Sequence, residues 1–327
     1  MADITAIRVE APGGPEVMQV ARVPLPVPGA GEILVRHAAI GVNFIDTYHR
    51  SGLYPLALPT GIGLEGAGTV EAVGPGVEDI AVGTRVAYCS GPPGAYAEAH
   101  VIKAERAVVL PDWLAFETIA ASLLKGLTVQ YLIRRIHACG PADTVLFHAA
   151  AGGVGQIAVQ WLKSLGTTVI ATAGGAEKCA LARELGADHV IDYRAEEVAP
   201  KVREITGGKG VPVVYDGVGK DTWLASLDSL SPRGLMVSFG NASGPVKDVD
   251  LGILAAKGSL FLTRPTLGHY TMGRAMLQES ADDYFGALKS GAVTIAPPTV
   301  YSIADVVRVH DDLQSRKTTG SVIMRAE

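Results

Sequence analysis

A glycine-rich turn lies near the middle of the chain, between a run with β character and an amphipathic helix. The run Thr144–Phe147 precedes the turn, and apolar residues at helical spacing follow it over 154–165. The turn itself is Ala150-x-Gly152-x-x-Gly155. Small residues there permit a tight bend, close approach of the backbone to a pyrophosphate, and close packing of the helix on its strand. The spacing therefore predicts a dinucleotide site at the start of this helix.

Turns of this kind also occur in ordinary strand-to-helix connections, so the context decides. A second β-type run, Thr168–Thr172, completes a βαβ unit and favours the cofactor interpretation. Folds that bind NAD place Asp or Glu at the end of that strand, on the ribose 2′-hydroxyl. This chain has Ala173-Gly174-Gly175 there, followed by Lys178. An uncharged turn with a lysine admits a 2′-phosphate, so we predict NADPH, although Lys178 alone is equally compatible with a solvated helix residue.

The composition is that of an ordered globular protein. Of 327 residues, 48% are hydrophobic and 19% are charged. The formal net charge is −5 without a basic stripe, so we predict no binding to nucleic acid. We also predict a cytoplasmic protein, because the N-terminus lacks a signal pattern and no apolar run reaches the ~18 residues of a membrane span. Cys89, Cys139 and Cys179 are far apart, which is typical of a reducing compartment and argues against a disulfide scaffold.

The first third of the chain, to about Val109, consists of short β-type runs separated by Gly/Pro turns. Such a pattern predicts a partly open β-barrel or a sandwich. One short helix around Phe44–His49, capped by Asn43 or Asp46, interrupts it. The predicted strands are Ile4–Val9, Val17–Val23, Glu32–Ile40, Gly68–Val73, Arg85–Tyr88 and Tyr96–Ile102.

From Thr144 onward, β-type runs alternate with helical segments, which predicts a parallel, doubly wound sheet of the Rossmann type. Two helices, Phe116–Leu124 and Leu127–His137, precede it and mark a domain boundary. The predicted strands are Thr144–His148, Thr168–Thr172, His189–Asp192, Val213–Asp216, Leu235–Phe239 and Ser259–Thr263. The predicted helices lie near 154–165, 177–185, 195–205, 221–230 and 249–256.

Past Thr266 the alternation stops. The tail contains a long helix near Thr271–Ser290, a run Val300–Ile303, a helix near Ala304–Ser315 and a final run Ser321–Met324. One or two strands and two helices make a poor domain alone, so we expect the tail to pack on the first domain. The predicted domains are 1–124 with 267–327, and 125–266.

Several motifs resemble those of the medium-chain dehydrogenase/reductase superfamily. In the N-terminal region they are Gly41–Tyr48 and Gly63–Gly68. Lys125–Thr128, Ala150–Gly155, Val214–Gly219 and Met236–Asn241 resemble the quinone oxidoreductase (zeta-crystallin) branch. The resemblance covers essentially the whole chain. It implies NADPH-dependent quinone reduction, a GroES-like catalytic domain beside a Rossmann domain, and a homodimer whose sheets join at the edge strand Ser259–Thr263.

The positions of zinc ligands in related alcohol dehydrogenases bear on the chemistry. Those enzymes have Cys where Asn43 stands and His where Leu64 stands, and neither residue here suits zinc. The four-cysteine structural lobe is also missing, because only Cys89 lies in that region. We therefore predict an enzyme without zinc. Without a Lewis acid to polarise a carbonyl, the acceptor must itself be electron-poor, which favours a quinone or a conjugated enone.

We expect the nicotinamide to lie between the two domains, where hydride passes directly from its C4 to the acceptor. The predicted catalytic residues are Asn43, Tyr48, Tyr54, Thr128 and Arg264. For each tyrosine, simple packing within Asp46–Pro55 is the favoured alternative, and Arg264 is equally a candidate for a surface or dimer contact. The predicted cofactor-binding residues, of which Tyr193 and Arg316 follow from the resemblance, are Asn43, Tyr131, Ala151, Gly152, Gly153, Val154, Gly174, Lys178, Tyr193, Val218, Phe239, Gly240 and Arg316.

Two alternatives remain open on the sequence. The first is an NADPH-dependent reductase of conjugated double bonds in alkenals or enones. The second is a protein that binds NADPH but has a structural or RNA-binding role, as some zeta-crystallin relatives have; the negative net charge argues against RNA.

Overall fold

The computed structural model of the chain describes residues 2–315 and 320–326. Its strands, labelled in chain order, are β1 (Asp3–Val9), β2 (Met18–Pro24), β3 (Glu32–Val42), β4 (Thr60–Gly61), β5 (Glu65–Val73), β6 (Arg85–Tyr88), β7 (Ala99–Lys103), β8 (Val108–Val109), β9 (Thr144–Phe147), β10 (Thr168–Ala173), β11 (His189–Asp192), β12 (Val211–Asp216), β13 (Leu230–Ser238), β14 (Phe261–Thr263), β15 (Thr299–Ser302) and β16 (Val322–Arg325).

The α-helices are α1 (Phe44–Ser51), α2 (Phe116–Ala120), α3 (Leu123–Gln130), α4 (Gly153–Ser164), α5 (Ala176–Glu184), α6 (Val198–Ile205), α7 (Trp223–Ser229), α8 (Gly252–Ala256), α9 (Leu267–Tyr270), α10 (Gly273–Lys289) and α11 (Val306–Gln314). A π-helical segment, Tyr131–Ile136, continues α3. Within the described ranges, none of the helices combines the length and apolarity that crossing a membrane requires.

The chain divides into two compact units. The first comprises the residues up to Leu124, Thr271–Ala281 and the described residues from Ile295 onward; the second comprises Lys125–Tyr270 and Asp282–Thr294. This division departs from the predicted domain ranges mainly at 282–294. The reason is packing that no local pattern reveals: the Tyr284 ring lies so close to Gly126 that a Cβ there would be 2.4 Å from it. The predicted ranges stay a prediction about independent domains.

The first unit is built on a mostly antiparallel sheet in the order β15-β16-β3-β5-β6-β8, with β7 also paired to β3. A smaller sheet, β2-β1-β4, accompanies it. Strand β16 pairs antiparallel with β3, so the C-terminal tail supplies a strand to this unit. Glycine is needed where β5 approaches its partner strand β3: a Cβ at Gly68 would lie 1.9 Å from the Arg36 carbonyl oxygen.

The second unit contains a wholly parallel sheet in the order β11-β10-β9-β12-β13-β14. Strands β9, β10 and β12 are apolar and almost completely buried, as strands covered on both faces are. The order reverses between β9 and β12, where the chain crosses to the other half of the sheet. The predicted doubly wound architecture is therefore confirmed.

Several element boundaries differ from the predicted ones. Strand β13 begins at Leu230 rather than Leu235. Strand β14 begins at Phe261 rather than at Ser259, which has a left-handed φ of 56°, a conformation that strand residues rarely adopt. Residues predicted to form one α-helix over Leu127–His137 pass from α3 into the π-helical segment. Apolar spacing does not distinguish these two helix types over so few residues.

A buried histidine links α11 to α1 within the first unit. Arg50 Nη1, which can only donate, lies 3.1 Å from His310 Nδ1, so Nδ1 accepts. The neutral ring then donates from Nε2 to the Tyr96 hydroxyl at 3.1 Å, and that hydroxyl donates to Asp46 Oδ2 at 2.8 Å. Burial, assisted by the Arg50 charge, lowers the pKa of His310 to about 3.

We expect the burial of His310 to make the folded protein less stable in mild acid. In the unfolded chain, His310 has a pKa of about 6.5 and binds a proton below that pH, whereas in the folded chain it binds one only near pH 3. The folded state therefore loses stability as the pH falls from about 6.5 toward about 3. We expect Tm to fall between about pH 7 and about pH 5, and less steeply in His310→Gln, as measured by thermal unfolding. The exposed His189 provides the matched control, His189→Gln. Equal slopes for wild type and His310→Gln would contradict the assignment.

Candidate functional site

The glycine-rich turn joins β9 to α4 at the carboxyl edge of the parallel sheet. Ala149 has a left-handed φ of 55°, and Gly152 is the residue before the first turn of α4. A Cβ at Gly155 would lie 2.4 Å from the Ala149 carbonyl oxygen and 2.6 Å from Ala150 Cα. Backbone atoms cannot yield that much, so only glycine fits there. The first amides of α4 lie beside a turn that carries only alanine and glycine residues, which suits the close approach of an anion.

A second turn, Gly174–Gly175, joins β10 to α5. A Cβ at Gly174 would lie 2.4 Å from the Tyr193 hydroxyl oxygen, so this ring lies directly over the turn. Arg194 Nη1 is 3.3 Å from the corresponding position at Gly175. Asp192 Oδ1 accepts from the Gly175 and Arg194 amides, each at 3.0 Å, and these two bonds lower the pKa of its carboxyl group. The Asp192 carboxylate therefore holds the two loops together.

The sequence prediction named Tyr193 and Lys178 at this turn but missed Arg194. Lys178 lies half-buried on the first turn of α5, and Tyr193 is 45% exposed. Arg194 follows directly after Tyr193, and its position on a neighbouring loop became apparent only from the pairing of β10 with β11. Three side chains that can donate hydrogen bonds thus surround a turn without side chains of its own. The predicted contact Arg316 lies outside the described residues.

A third group of predicted residues comes together at the ends of β12 and β13. The Phe239 ring lies 2.9 Å from the position of a Cβ at Gly217, and a Cβ at Gly240 would lie 2.2 Å from the Gly217 carbonyl oxygen. The Val218 amide donates to Asp216 Oδ1 at 2.8 Å. The ends of β12 and β13 therefore bring together Val218, Phe239 and Gly240.

Arg264 lies at the same strand ends. Its Nη1 donates to the Ser238 carbonyl oxygen at 2.7 Å and to that of Gly240 at 3.3 Å. Its charge also acts on the Tyr131 phenol, whose pKa is nevertheless raised by burial. Tyr131 belongs to the π-helical segment and stacks on Tyr270, with ring centroids 4.7 Å apart. Thr128 is buried on α3, one helical turn earlier.

The polar ends of these strands also enclose a connected set of buried side chains. Asp216, Ser226, His148 and Thr172 follow one another at hydrogen-bond distance, and all are at most 2% exposed. We call this set the Asp216 chain. The sequence prediction did not include any of its members. Their only visible signal was the placement of His148, Thr172 and Asp216 at the ends of predicted strands.

In the first unit, Asn43 is held by two buried carboxylates. Its Nδ2 donates to Glu65 Oε2 at 2.6 Å, and its backbone amide donates to Asp46 Oδ2 at 2.9 Å. The other oxygen of Glu65 accepts from the Leu124 amide at 2.7 Å. Glu65 is completely buried and therefore orients the Asn43 side chain. Sequence reasoning noted Glu65 only as part of a motif.

Tyr48 and Tyr54 meet in the same unit, as their proximity in sequence suggested. Their rings are 5.3 Å apart and edge to face, and the Tyr54 amide donates to the Tyr48 carbonyl oxygen at 3.1 Å. Phe44 extends the cluster, with its centroid 6.1 Å from that of Tyr48. All three rings remain partly exposed on and after α1. The two tyrosine rings both pack against each other and reach solvent, so their role in catalysis stays a prediction.

The two positions that hold zinc in related alcohol dehydrogenases are occupied differently here. Asn43 binds Glu65 through its amide, and Leu64 is a buried apolar residue. Over the described ranges, no set of three or more His, Cys, Asp or Glu side chains is arranged to hold a metal ion. That no zinc is bound stays a prediction from the residue types.

Comparisons with known proteins agree with this architecture. The alcohol dehydrogenase GroES-like domain matches residues 29–112, and the zinc-binding dehydrogenase family matches residues 153–285. A GroES-like unit joined to a Rossmann unit with a glycine-rich turn defines a medium-chain dehydrogenase/reductase.

Individual relatives indicate the branch of this superfamily to which the chain belongs. A quinone oxidoreductase of Pseudomonas aeruginosa is 54% identical over 97% of this chain and 98% of its own length. The crystal structure of Escherichia coli quinone oxidoreductase complexed with NADPH has a TM-score of 0.96 at 50% identity, covering 98% of this chain and 99% of that one. A 2-haloacrylate reductase of a Burkholderia species is 43% identical over 98% of each chain. The chain belongs to the quinone oxidoreductase branch of the medium-chain dehydrogenase/reductase superfamily, which confirms the predicted membership and fold class.

Proposed function

We propose that this protein is an NADPH:quinone oxidoreductase that works without a metal ion. The observation that carries the proposal is the turn Gly174–Gly175, where Tyr193 and Arg194 lie over the backbone and β10 ends in Ala173 rather than in Asp or Glu. The full-length similarity to quinone oxidoreductases, one of which was solved with NADPH, supports it.

The residues of the second unit fit a phosphorylated dinucleotide in two places. Ala151, Gly152, Gly153 and Val154 supply the backbone at the start of α4, whose free amides and dipole favour the pyrophosphate. Lys178, Tyr193 and Arg194 supply donors for the 2′-phosphate, which a carboxylate would repel. Arg194 is an addition to the predicted set. Arg316, outside the described residues, stays a prediction.

We assign Tyr131, Val218, Phe239 and Gly240 to the nicotinamide end of the cofactor, because they lie at the ends of the central strands. When bound, NADPH supplies a hydride with its electron pair, and the quinone oxygen that becomes anionic takes up a proton. The chain contributes orientation, exclusion of water and stabilisation of that oxyanion. Arg264 is the cation available for the last task, while Thr128 and Asn43 are polar candidates for orienting the reactants.

Asn43 is held in one orientation by Glu65, because Nδ2 points at the carboxylate and the amide oxygen points elsewhere. Asn43 is therefore proposed as an oriented polar contact. Tyr48 and Tyr54 are proposed to receive the quinone ring, since aromatic edges and faces pack well against a flat acceptor.

A second function, reduction of a conjugated double bond, is favoured by the 2-haloacrylate reductase among the relatives. No observation favours a structural or RNA-binding role.

We further propose a homodimer through the edge strand β14. Strand β14 ends the parallel sheet, and Phe261 is 62% exposed there. An apolar, unpaired edge is a surface that proteins usually cover. A cytoplasmic location stays a prediction.

The substrate class is tested by oxidation of NADPH followed by its ultraviolet absorbance. We expect turnover with 1,4-benzoquinone and 9,10-phenanthrenequinone, slower turnover with a conjugated enal, and no loss of activity after treatment with a chelator, because the acceptor ring is already electron-poor. Faster turnover of the enal would support the second function. A bound zinc ion needed for turnover of a simple alcohol would overturn the proposal.

The same assay separates the roles of the tyrosines. Tyr48→Phe and Tyr54→Phe remove only a hydroxyl group, so a stacking role leaves kcat within about twofold, whereas a proton donor loses about 100-fold. Asn43→Ala should reduce kcat/KM through loss of orientation. The distant surface variant Val82→Ala serves as control.

Cofactor choice is tested with Lys178→Ala and Arg194→Ala. Each removes a cation from the Gly174–Gly175 turn, so we expect KM for NADPH to rise about 10-fold and KM for NADH to change little. The matched control is Lys201→Ala, a half-buried lysine of the same unit that pairs with Glu204. A parallel rise for both cofactors would refute the 2′-phosphate assignment.

The dimer is tested by sedimentation velocity. Wild type should sediment as twice the 34.0 kDa of one chain. Phe261→Lys should shift it toward monomer, because a charge enters an apolar interface, while the similarly exposed Val82→Lys should not. A monomeric wild type at micromolar concentration would argue against the interface.

A further inference from the structure

The Asp216 chain connects the carboxyl ends of three neighbouring strands. Ser226 Oγ, on α7, lies 2.7 Å from Asp216 Oδ2 and 3.0 Å from His148 Nε2. His148 Nδ1 lies 3.1 Å from Thr172 Oγ1, and this oxygen also accepts from the Ala149 amide at 3.3 Å. The set thus runs from β12 past β9 to β10, and it ends at the glycine-rich turn.

The direction of every hydrogen bond in the set follows from the chemistry of its ends. An ionised Asp216 only accepts, so the Ser226 hydroxyl donates to it and must accept from His148 Nε2. A neutral imidazole that donates from Nε2 accepts at Nδ1, so the Thr172 hydroxyl donates there. Thr172 then uses a lone pair for the Ala149 amide. Ser226, His148 and Thr172 thus each donate one hydrogen bond and accept one, while the Asp216 carboxylate only accepts.

The environment keeps His148 neutral, as this order requires. The ring is buried, and burial lowers the pKa of His148, with the Asp216 charge acting in the opposite direction. A doubly protonated ring would make Thr172 Oγ1 accept from both His148 Nδ1 and the Ala149 amide, and the Thr172 hydroxyl proton would lose Nδ1 as its acceptor.

Both ends of the set act on turns that the proposed function assigns to the cofactor. At one end, Thr172 holds the amide of Ala149, whose left-handed φ of 55° is unfavourable for a residue with a Cβ and needs support. At the other, Asp216 Oδ1 accepts from the Val218 amide at 2.8 Å and the Gly219 amide at 3.0 Å. Thr222 Oγ1 donates to the same carboxylate at 2.7 Å. One buried charge therefore supports two separate turns.

We propose that Asp216, Ser226, His148 and Thr172 are positioning residues that preorganise the glycine-rich turn and the Val218–Gly219 turn together for NADPH. This inference rests on the proposed function, because it presumes that the two turns hold one dinucleotide. The side chains at the two ends of the set hydrogen-bond to the backbone of the turns, and none of the four needs contact with the cofactor. They reduce the free energy that would otherwise be lost in ordering both turns when the cofactor binds.

Matched substitutions test the positioning role. Thr172→Val keeps the shape of the side chain and removes the hydroxyl, whereas Thr172→Ser keeps the hydroxyl. We expect Thr172→Val to raise the Kd of NADPH about 10-fold and Thr172→Ser to stay within about twofold of wild type. Fluorescence titration with NADPH measures Kd, and thermal unfolding measures the accompanying loss of stability. Turnover at saturating NADPH should change far less than KM.

A second pair controls for stability alone. Ser226 and Ser229 are both completely buried on α7, but the Ser229 hydroxyl only donates to the Ala225 carbonyl oxygen one turn earlier. Ser226→Ala should raise the Kd of NADPH about 10-fold, and Ser229→Ala should leave it unchanged even if Tm falls similarly. Equal Kd values for the two variants would overturn the proposal.

Nitrogen NMR of wild-type His148 tests the same order without any substitution. The expected spectrum shows a neutral ring with the proton on Nε2 near neutral pH. A proton on Nδ1 would overturn the assigned order. Failure of wild type to bind NADPH would instead refute the proposed function, and the two failures are thus distinguishable.

Discussion

A buried negative charge, the carboxylate of Asp216, constrains the second unit. Removing such an ion from solvent costs several kcal/mol unless donors replace the lost hydration. Here the donors are the Val218 and Gly219 amides and the hydroxyls of Thr222 and Ser226. Because these donors belong to a loop and to α7, satisfying the charge determines where both elements begin after β12.

The first unit applies the same physics to different residues. Glu65 and Asp46 are buried, and Asn43 donates to both of them through its side chain and its backbone. A position that carries a zinc ligand in related alcohol dehydrogenases has become a hydrogen-bond donor to a buried carboxylate. Asn43 suits zinc poorly, and its side chain helps to satisfy a buried charge. This is the physical basis for expecting an acceptor that needs no Lewis acid.

Patterns within the sequence predicted most of the architecture because they arise from local physics. Alternating apolar strands and amphipathic helices indicated the parallel sheet, and the strand His189–Asp192 matches its predicted bounds. The missed features depend on residues distant in sequence. The beginning of β13 at Leu230 depends on pairing with β12, where Val211 lies opposite Leu230. The packing of Tyr284 over Gly126 likewise joins residues distant in sequence.

The sequence by itself determined the kind of chemistry. Gly155 is required by a steric limit inside one short turn, and the residues at positions 43 and 64 exclude the usual zinc ligands wherever they lie. Only the tertiary structure showed which side chains lie beside the turns proposed to hold the cofactor. Arg194, Glu65 and the Asp216 chain are placed by neighbours on other strands, and a buried polar group can be matched with its donors only after the chain has folded.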